Sequence, residues 1–237
     1  MDKPANISVK DNLAVVKNQI AAAAERSGRD PASIKIIAVS KTKPIGAIYE
    51  AYNEGLTAFG ENYAQELDEK MNSELLSGLP GIEWHMIGHV QTNKVKTLVG
   101  KTTLIHSLDS LRLAEAIQKQ AEKVSATVDA LIEINIAKEE NKYGFYAEEA
   151  HKAVEEIAAY KNIKLLGLMA SAPQVDIPES NRTYFRSINE LYLDIRKKSI
   201  DNTHIHVLSM GMSGDFEIAV EEGSTMLRIG TRIFGGR

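Results

Sequence analysis

The stretch IKIIAVSKTKPIGAIYEAYNEGLTAFGEN, residues 34–62, decides the fold. Its opening apolar run leads into Lys41 and reads as a strand over 34–41. Pro44 sits near the start of an amphipathic helix, 45–55, which Gly55 ends. A second short strand, AFGEN, follows at 58–62. Strand, helix and strand in immediate succession make a parallel unit, because parallel neighbours need a crossover between them. The unit also places an ammonium, Lys41, at the tip of an apolar strand.

The same alternation continues outward in both directions. Upstream, SVKDNLAVVKNQIAAAAERSG reads as a helix with Ser8 as N-cap, Asp11 three residues on and Gly28 just past its end. Val9, Leu13, Val16 and Ile20 form its apolar stripe. Downstream, a Glu- and Lys-rich helix reaches about residue 76. Strands then read at 82–89, 103–109, 128–136, 163–170, 204–211 and 225–235. Helices read at 91–98, through LRLAEAIQKQAEKV after a cap at Asp109 or Ser110, and at 147–160, 179–198 and 214–222. Eight strands alternate with helices and no composition break marks a linker. The expected fold is α/β, a single closed (β/α)8 TIM barrel domain over 1–237, rather than an open doubly wound sheet.

Composition narrows the function classes. The 237 residues are 43% hydrophobic, enough for one sizeable core, and 25% charged with a net charge of −4. No basic stripe marks a nucleic-acid surface. With no cysteine, disulfides, thiolate nucleophiles and Cys-ligated zinc are excluded. The start, MDKPANISVKDNL, has no apolar signal core, and no run approaches the ~18 apolar residues of a membrane span, so a cytoplasmic location is expected. N-x-[ST] matches at Asn6 and Asn181 read as chance.

In such a barrel the C-terminal strand ends build the active face. There the sequence gathers Lys41, then Glu61 and Asn62, His85 and His89, Glu133 and Asn135, the run Ser209 to Gly214, and Arg228, Gly230 and Thr231. His85 and His89, four apart on a strand, would stand roughly 13 Å apart, too far for a shared metal. His204 and His206 lack a third ligand and read as structural. Arg228 has Glu133 as a possible ion-pair partner inside the barrel. GKT at 100–102 is not a P-loop, since Val95 holds the place of its first glycine. GxGxxG after the first strand, G-x-S-x-G and HExxH are all absent.

The last two strand ends look like a phosphate site. SMGMSGD crosses from strand seven into a helix that Ser213 can cap, and Gly211 and Gly214 allow close backbone approach to an anion. RIGTRIFG adds free N–H donors at Gly230 and Thr231. Burial disfavours a charged amine, and a neutral lysine condenses with an aldehyde to a Schiff base. Lys41 facing a phosphate site therefore suits a phosphorylated aldehyde. Pyridoxal phosphate is one, and the sugar phosphate of an aldolase is another.

AVSKTKP, FGENYAQE, EWHMIGHVQTNK, INI…NKYGF, GLMA, LSMGMSGD and STMLRIGTRIFG occur in this order. Together, from about residue 10 to residue 236, they resemble the YggS/PROSC family of pyridoxal-phosphate-binding homeostasis proteins. The resemblance implies a barrel like the N-terminal domain of alanine racemase, pyridoxal phosphate fold type III. It implies that Lys41 carries pyridoxal phosphate as a Schiff base. Ser213, Gly230 and Thr231 match phosphate-holding positions, with backbone help around Met210 and Gly211. Arg228 matches an arginine facing the pyridine nitrogen, and Asn62, His85 and Met169 match pocket-lining residues.

A guanidinium only donates, so it favours an unprotonated ring nitrogen, a weaker electron sink. In alanine racemase a tyrosine from the second domain of a partner subunit supplies the other base. Here the chain ends shortly after strand eight, so that domain is expected to be absent and the protein monomeric. The implied role is buffering the cofactor or delivering it to pyridoxal-phosphate-dependent apoenzymes, with no catalytic residue and no metal. The alternatives are a racemase or lyase of low specificity, and an aldolase using Lys41.

Overall fold

The computed structural model describes residues 8–236. The strands are β1 (Lys35–Val39), β2 (Ala58–Glu61), β3 (Glu83–Met86), β4 (Leu104–Leu108), β5 (Val128–Ile134), β6 (Ile163–Ala170), β7 (Thr203–Met212) and β8 (Met226–Ile229). Helix α1 (Val9–Arg26) precedes them. One helix then follows each strand: α2 (Ile45–Asn53), α3 (Ala64–Met71), α4 (Val95–Leu98), α5 (Leu111–Lys123), α6 (Ala150–Ala158), α7 (Arg182–Lys197), α8 (Phe216–Glu221) and α9 (Thr231–Phe234). The sheet closes in the order β1 to β8, and β8 pairs parallel with β1. The chain is thus the (β/α)8 barrel that the alternation predicts.

Local chemistry explains the first element. Ser8 Oγ accepts from Asp11 N at 3.2 Å, and Gly28 turns at φ +66° after the C-cap Ser27. Val9, Leu13, Val16 and Ile20 are buried, and the helix packs on α8 and α9, covering the seam where β8 meets β1. Most apolar burial lies between strands and helices, where Phe59, Phe185 and Phe216 sit with Leu13, Ile48 and Leu67. Inside the barrel a small separate apolar layer holds Leu104, Leu131, Met169 and Val207. Branched apolar residues usually fill such an interior. Here His85, His106, Ser209 and Arg228 are buried as well.

Some element bounds differ from the sequence reading. β8 stops at Ile229, and residues 231–234 turn into α9, because Gly230 O accepts from both Ile233 N and Phe234 N at 2.9 Å. The four-residue spacing of Ile229 and Ile233 belongs to that helical turn rather than to a strand. β3 ends at Met86, so His89 lies in the loop beyond it. Ser110 is the residue that caps α5, accepting from Leu113 N at 3.3 Å. Asn181 is buried and donates to Pro173 O and Asp215 Oδ2, an anchoring role that takes its amide from the surface. Asn6 lies outside the described residues. Among the described residues no helix is long and apolar enough to cross a membrane.

Candidate functional site

A cavity of about 470 Å³ opens at the C-terminal mouth of the barrel. Lys41, Asn62, Ser213, Arg228, Gly230 and Thr231 all line it. They come from the ends of β1, β2, β7 and β8, so chain closure is what assembles them.

Lys41 sits in a turn that other groups build. Ser40 N continues the ladder to Gly60 O at 3.0 Å, Lys43 N bonds Ser40 O at 2.9 Å, and Thr42, at φ +62°, donates its N–H to Glu66 Oε1 at 2.6 Å. Beneath the turn, buried Lys70 donates to Ser40 O at 2.7 Å, Glu61 Oε1 at 2.8 Å and Glu66 Oε1 at 2.7 Å. Ser40 Oγ also bonds Glu61, at 2.6 Å. Glu61 therefore faces the helix layer, not the mouth as its strand-end position suggested. Burial pushes its carboxyl pKa up, and the bonds from Lys70 and Ser40 oppose that. Lys43 is tied to the carbonyls of Gly235 at 3.0 Å and Gly236 at 2.9 Å. Lys41 is half-buried and, among the described residues, donates its ammonium protons to no protein group.

Across the cavity, Ser213 Oγ accepts the Gly230 N–H at 3.1 Å. Ser213 does not cap α8. Asp215 is the N-cap residue, and it closes the β7–α8 turn by accepting from Met212 N at 2.7 Å. The Gly230 N–H is thus not free, while the Thr231 N–H lies at the first turn of α9, where no intrahelical carbonyl reaches it. A Cβ on Gly230 would stand 3.2 Å from Val39 O, so the backbone here approaches β1 more closely than most side chains allow.

Arg228 is 4% exposed. Its Nη1 donates to Ser209 O at 2.8 Å and Ser209 Oγ at 2.7 Å, and its Nη2 to Ala170 O at 2.9 Å and Ser171 Oγ at 3.0 Å. Of the five guanidinium N–H groups, Nε–H has no protein partner among the described residues. Burial draws the Arg228 pKa down to about 10, which leaves it a cation at neutral pH. All four acceptors are neutral, so the ion pair with Glu133 that the sequence allowed does not form.

Glu133 is pushed up to about 7, first by burial and then by Asp109, against the pull of Arg228 and Lys142. In acid both folded and unfolded chains hold this proton. As pH rises the unfolded chain releases it first, so stability falls until pH passes about 7. Glu133→Gln is therefore expected to stabilise the ligand-free chain on the order of 3 kcal/mol at about pH 8, and under ~1 kcal/mol at about pH 5. Urea unfolding at both pH values checks this; an equal change at both would refute it.

The remaining predicted residues lie around or below the cavity. His85 and Met169 are buried in the barrel interior, at 1% and 2% exposure. Met210 belongs to the core beneath the helices. Gly211, at φ +89°, lets β7 pack on α8, since a Cβ there would stand 2.4 Å from Ala219 Cβ. Tyr63 and Tyr143 line an adjoining groove, where Tyr143 stacks on His89 at 3.6 Å between ring centroids. Among the described residues no three metal-binding side chains cluster.

Sequence reasoning missed Ser171 and His106, and the role of Lys70 under the lysine turn. The only local signal for His106 was an imidazole set in the apolar strand TLIHSLD.

The alanine racemase N-terminal domain model matches residues 12–237. A pyridoxal phosphate homeostasis protein of Aquifex aeolicus is 45% identical over 227 residues, covering 96% of this chain and 97% of that one. One from Escherichia coli K12 is 39% identical over 230 residues, with 97% of each chain covered. The structure of PipY of Synechococcus elongatus PCC7942 with pyridoxal phosphate bound superposes with a TM-score of 0.83 at 30% identity, over 96% of this chain and 100% of that one.

Proposed function

Because the chain belongs to the alanine racemase N-terminal domain family, and within it to the pyridoxal phosphate homeostasis proteins, we propose that it binds pyridoxal phosphate at the barrel mouth and buffers or delivers it. In this reading it works as a cytoplasmic monomer, holds the cofactor by a covalent link to Lys41, and passes it to pyridoxal-phosphate-dependent apoenzymes.

The donor set fits the group. Lys41 offers an amine with no competing protein partner among the described residues. Ser213, Thr231 and the glycine backbone at Gly230 form a small, hydroxyl-rich cradle suited to a phosphate, at the strand ends where this fold usually holds one. Arg228 suits a ring nitrogen that accepts, because its Nε–H can only donate. Bound pyridoxal phosphate supplies an aldehyde that condenses with amines and a ring that withdraws electrons.

The observation that carries the carrier role is the composition of the cavity wall. Besides Lys41 and Arg228, its titratable residue is Asp215, and both Asp215 oxygens already accept bonds, from Met212 N and Asn181 Nδ2. Proton transfer on two faces of a substrate carbon needs a second free acid–base group. Arg228 also keeps the ring a weak electron sink.

The test is reconstitution of the purified chain with pyridoxal phosphate, followed by its visible spectrum, borohydride reduction and intact mass. One cofactor mass fixed per chain is expected, with no sustained α-proton exchange when amino acids are added in D2O. A chain that takes up no cofactor overturns the binding role. Exchange over many turnovers overturns the carrier role in favour of a racemase or lyase.

A further inference from the structure

Four buried side chains cross the barrel from the cavity to the floor. Arg228 Nη1 bonds Ser209 Oγ at 2.7 Å, His106 Nδ1 meets Ser209 Oγ at 3.0 Å, and His85 Nδ1 meets His106 Nε2 at 2.9 Å. The two imidazoles meet edge-on, at 68° and 5.1 Å. Among the described residues His85 Nε2 has no hydrogen bond, and Glu83 Oε2 lies 3.6 Å away, itself paired with Lys35 at 2.5 Å.

The proton on each atom follows from Arg228. A guanidinium cannot accept, so Ser209 Oγ must. Among the described residues the one acceptor within reach of the Ser209 O–H is His106 Nδ1, so that nitrogen is bare. His106 carries its proton on Nε2 and donates it to His85 Nδ1. His85 therefore carries its own proton on Nε2, facing Glu83. Burial draws both imidazole pKas down, so both rings are neutral. The dipoles then align, each lone pair toward Arg228 and each N–H toward the floor. Such chains polarise one another in a dry interior.

We propose that Ser209, His106 and His85 form a proton-ordered relay that orients Arg228 toward the cofactor site and presents the negative end of the chain to its guanidinium. Glu83 is the distant counter-charge. This rests on pyridoxal phosphate occupying the mouth. The relay explains how a cation buried without a carboxylate partner is tolerated. It makes His106 and Ser209 positioning residues, acting on the ligand only through Arg228. The other charged groups facing the chain are Glu133 and Asp215 toward Arg228, and Lys35 toward the histidines.

Two readouts test it. Imidazole ¹⁵N spectra of the ligand-free chain should show His85 and His106 as single neutral Nε2–H tautomers at about pH 7 and above. In Ser209→Ala, His106 should lose that single tautomer. In the loaded chain, Ser209→Ala and His106→Phe should keep the one reducible cofactor mass. They should nonetheless move the pH midpoint of the visible band by about one unit or more, and speed cofactor release by about tenfold. Val207→Ala, which opens the neighbouring apolar layer without touching the relay, is the control.

An Nδ1–H tautomer at either ring overturns the proposal. So do spectra of Ser209→Ala and His106→Phe that shift no more than that of Val207→Ala. If His106→Phe does not fold, Ser209→Ala alone decides. A wild type that takes up no cofactor overturns the functional reading instead, and the ring spectra still decide the proton order.

Discussion

Lys41→Ala is expected to fold as the parent does and to hold no covalently bound pyridoxal phosphate. The turn that carries Lys41 is built from backbone bonds of Ser40 and Lys43 and from Glu66, with Lys70 beneath it. No described partner loses a bond when the Lys41 amine is removed. A half-buried side chain outside the core usually changes stability by no more than ~0.5 kcal/mol.

The loss of the link should be complete, because among the described residues Lys41 is the one lysine that lines the cavity. Lys43 is bound to the terminal carbonyls, Lys70 is buried against Glu61, and Lys142 pairs with Glu139 and reaches Ala172 O. Borohydride reduction followed by intact mass reads the outcome, and unfolding in urea confirms the fold. A reduced cofactor mass on the variant would move the anchor elsewhere. A large stability loss would mean Lys41 has a structural role as well.

The second large effect is on folding. Gly167→Ala should destabilise the chain by about 4 kcal/mol or more. Gly167 lies at register shifts with both neighbours, pairing with Leu131 on β5 and Val207 on β7. Its φ is +155°, and a Cβ there would fall 1.7 Å from Val207 O and 2.7 Å from Val207 C. The obstacle is backbone, so no rotamer change relieves it, and β6 must separate from β7. That would also displace Ala170 O and Ser171 Oγ, which hold Arg228.

Gly46→Ala is the matched control. It lies in α2 with nothing within 4 Å of an added Cβ, and it should gain ~0.5–1 kcal/mol. Urea midpoints of both variants settle the comparison. A Gly167→Ala loss below ~1 kcal/mol would show that the bulge can shift.

The strands and the cavity were legible in the sequence to different depths. Periodicity and turn residues announced the alternation, and Lys41, Asn62, Ser213, Arg228, Gly230 and Thr231 do converge on one cavity. The reading was weakest where adjacent residues take opposite faces. Glu61 and Asn62 both looked like mouth residues, yet only Asn62 reaches the cavity, because successive strand side chains point to opposite sides. Ser213 looked like a helix cap, and it bonds Gly230 on the neighbouring strand end instead.

What the sequence determined by itself is local: eight strand–helix units, a lysine after the first strand, and glycine- and hydroxyl-bearing turns after the last two. These depend on residues a few positions apart, whose preferences act before any tertiary contact exists. Only the closed barrel decided which interior groups meet. His106 reaches Ser209 across 103 residues, and Arg228 reaches Ala170 across 58. Those pairings are set by the stagger at which eight strands close on themselves, a property of the whole ring that no single segment encodes.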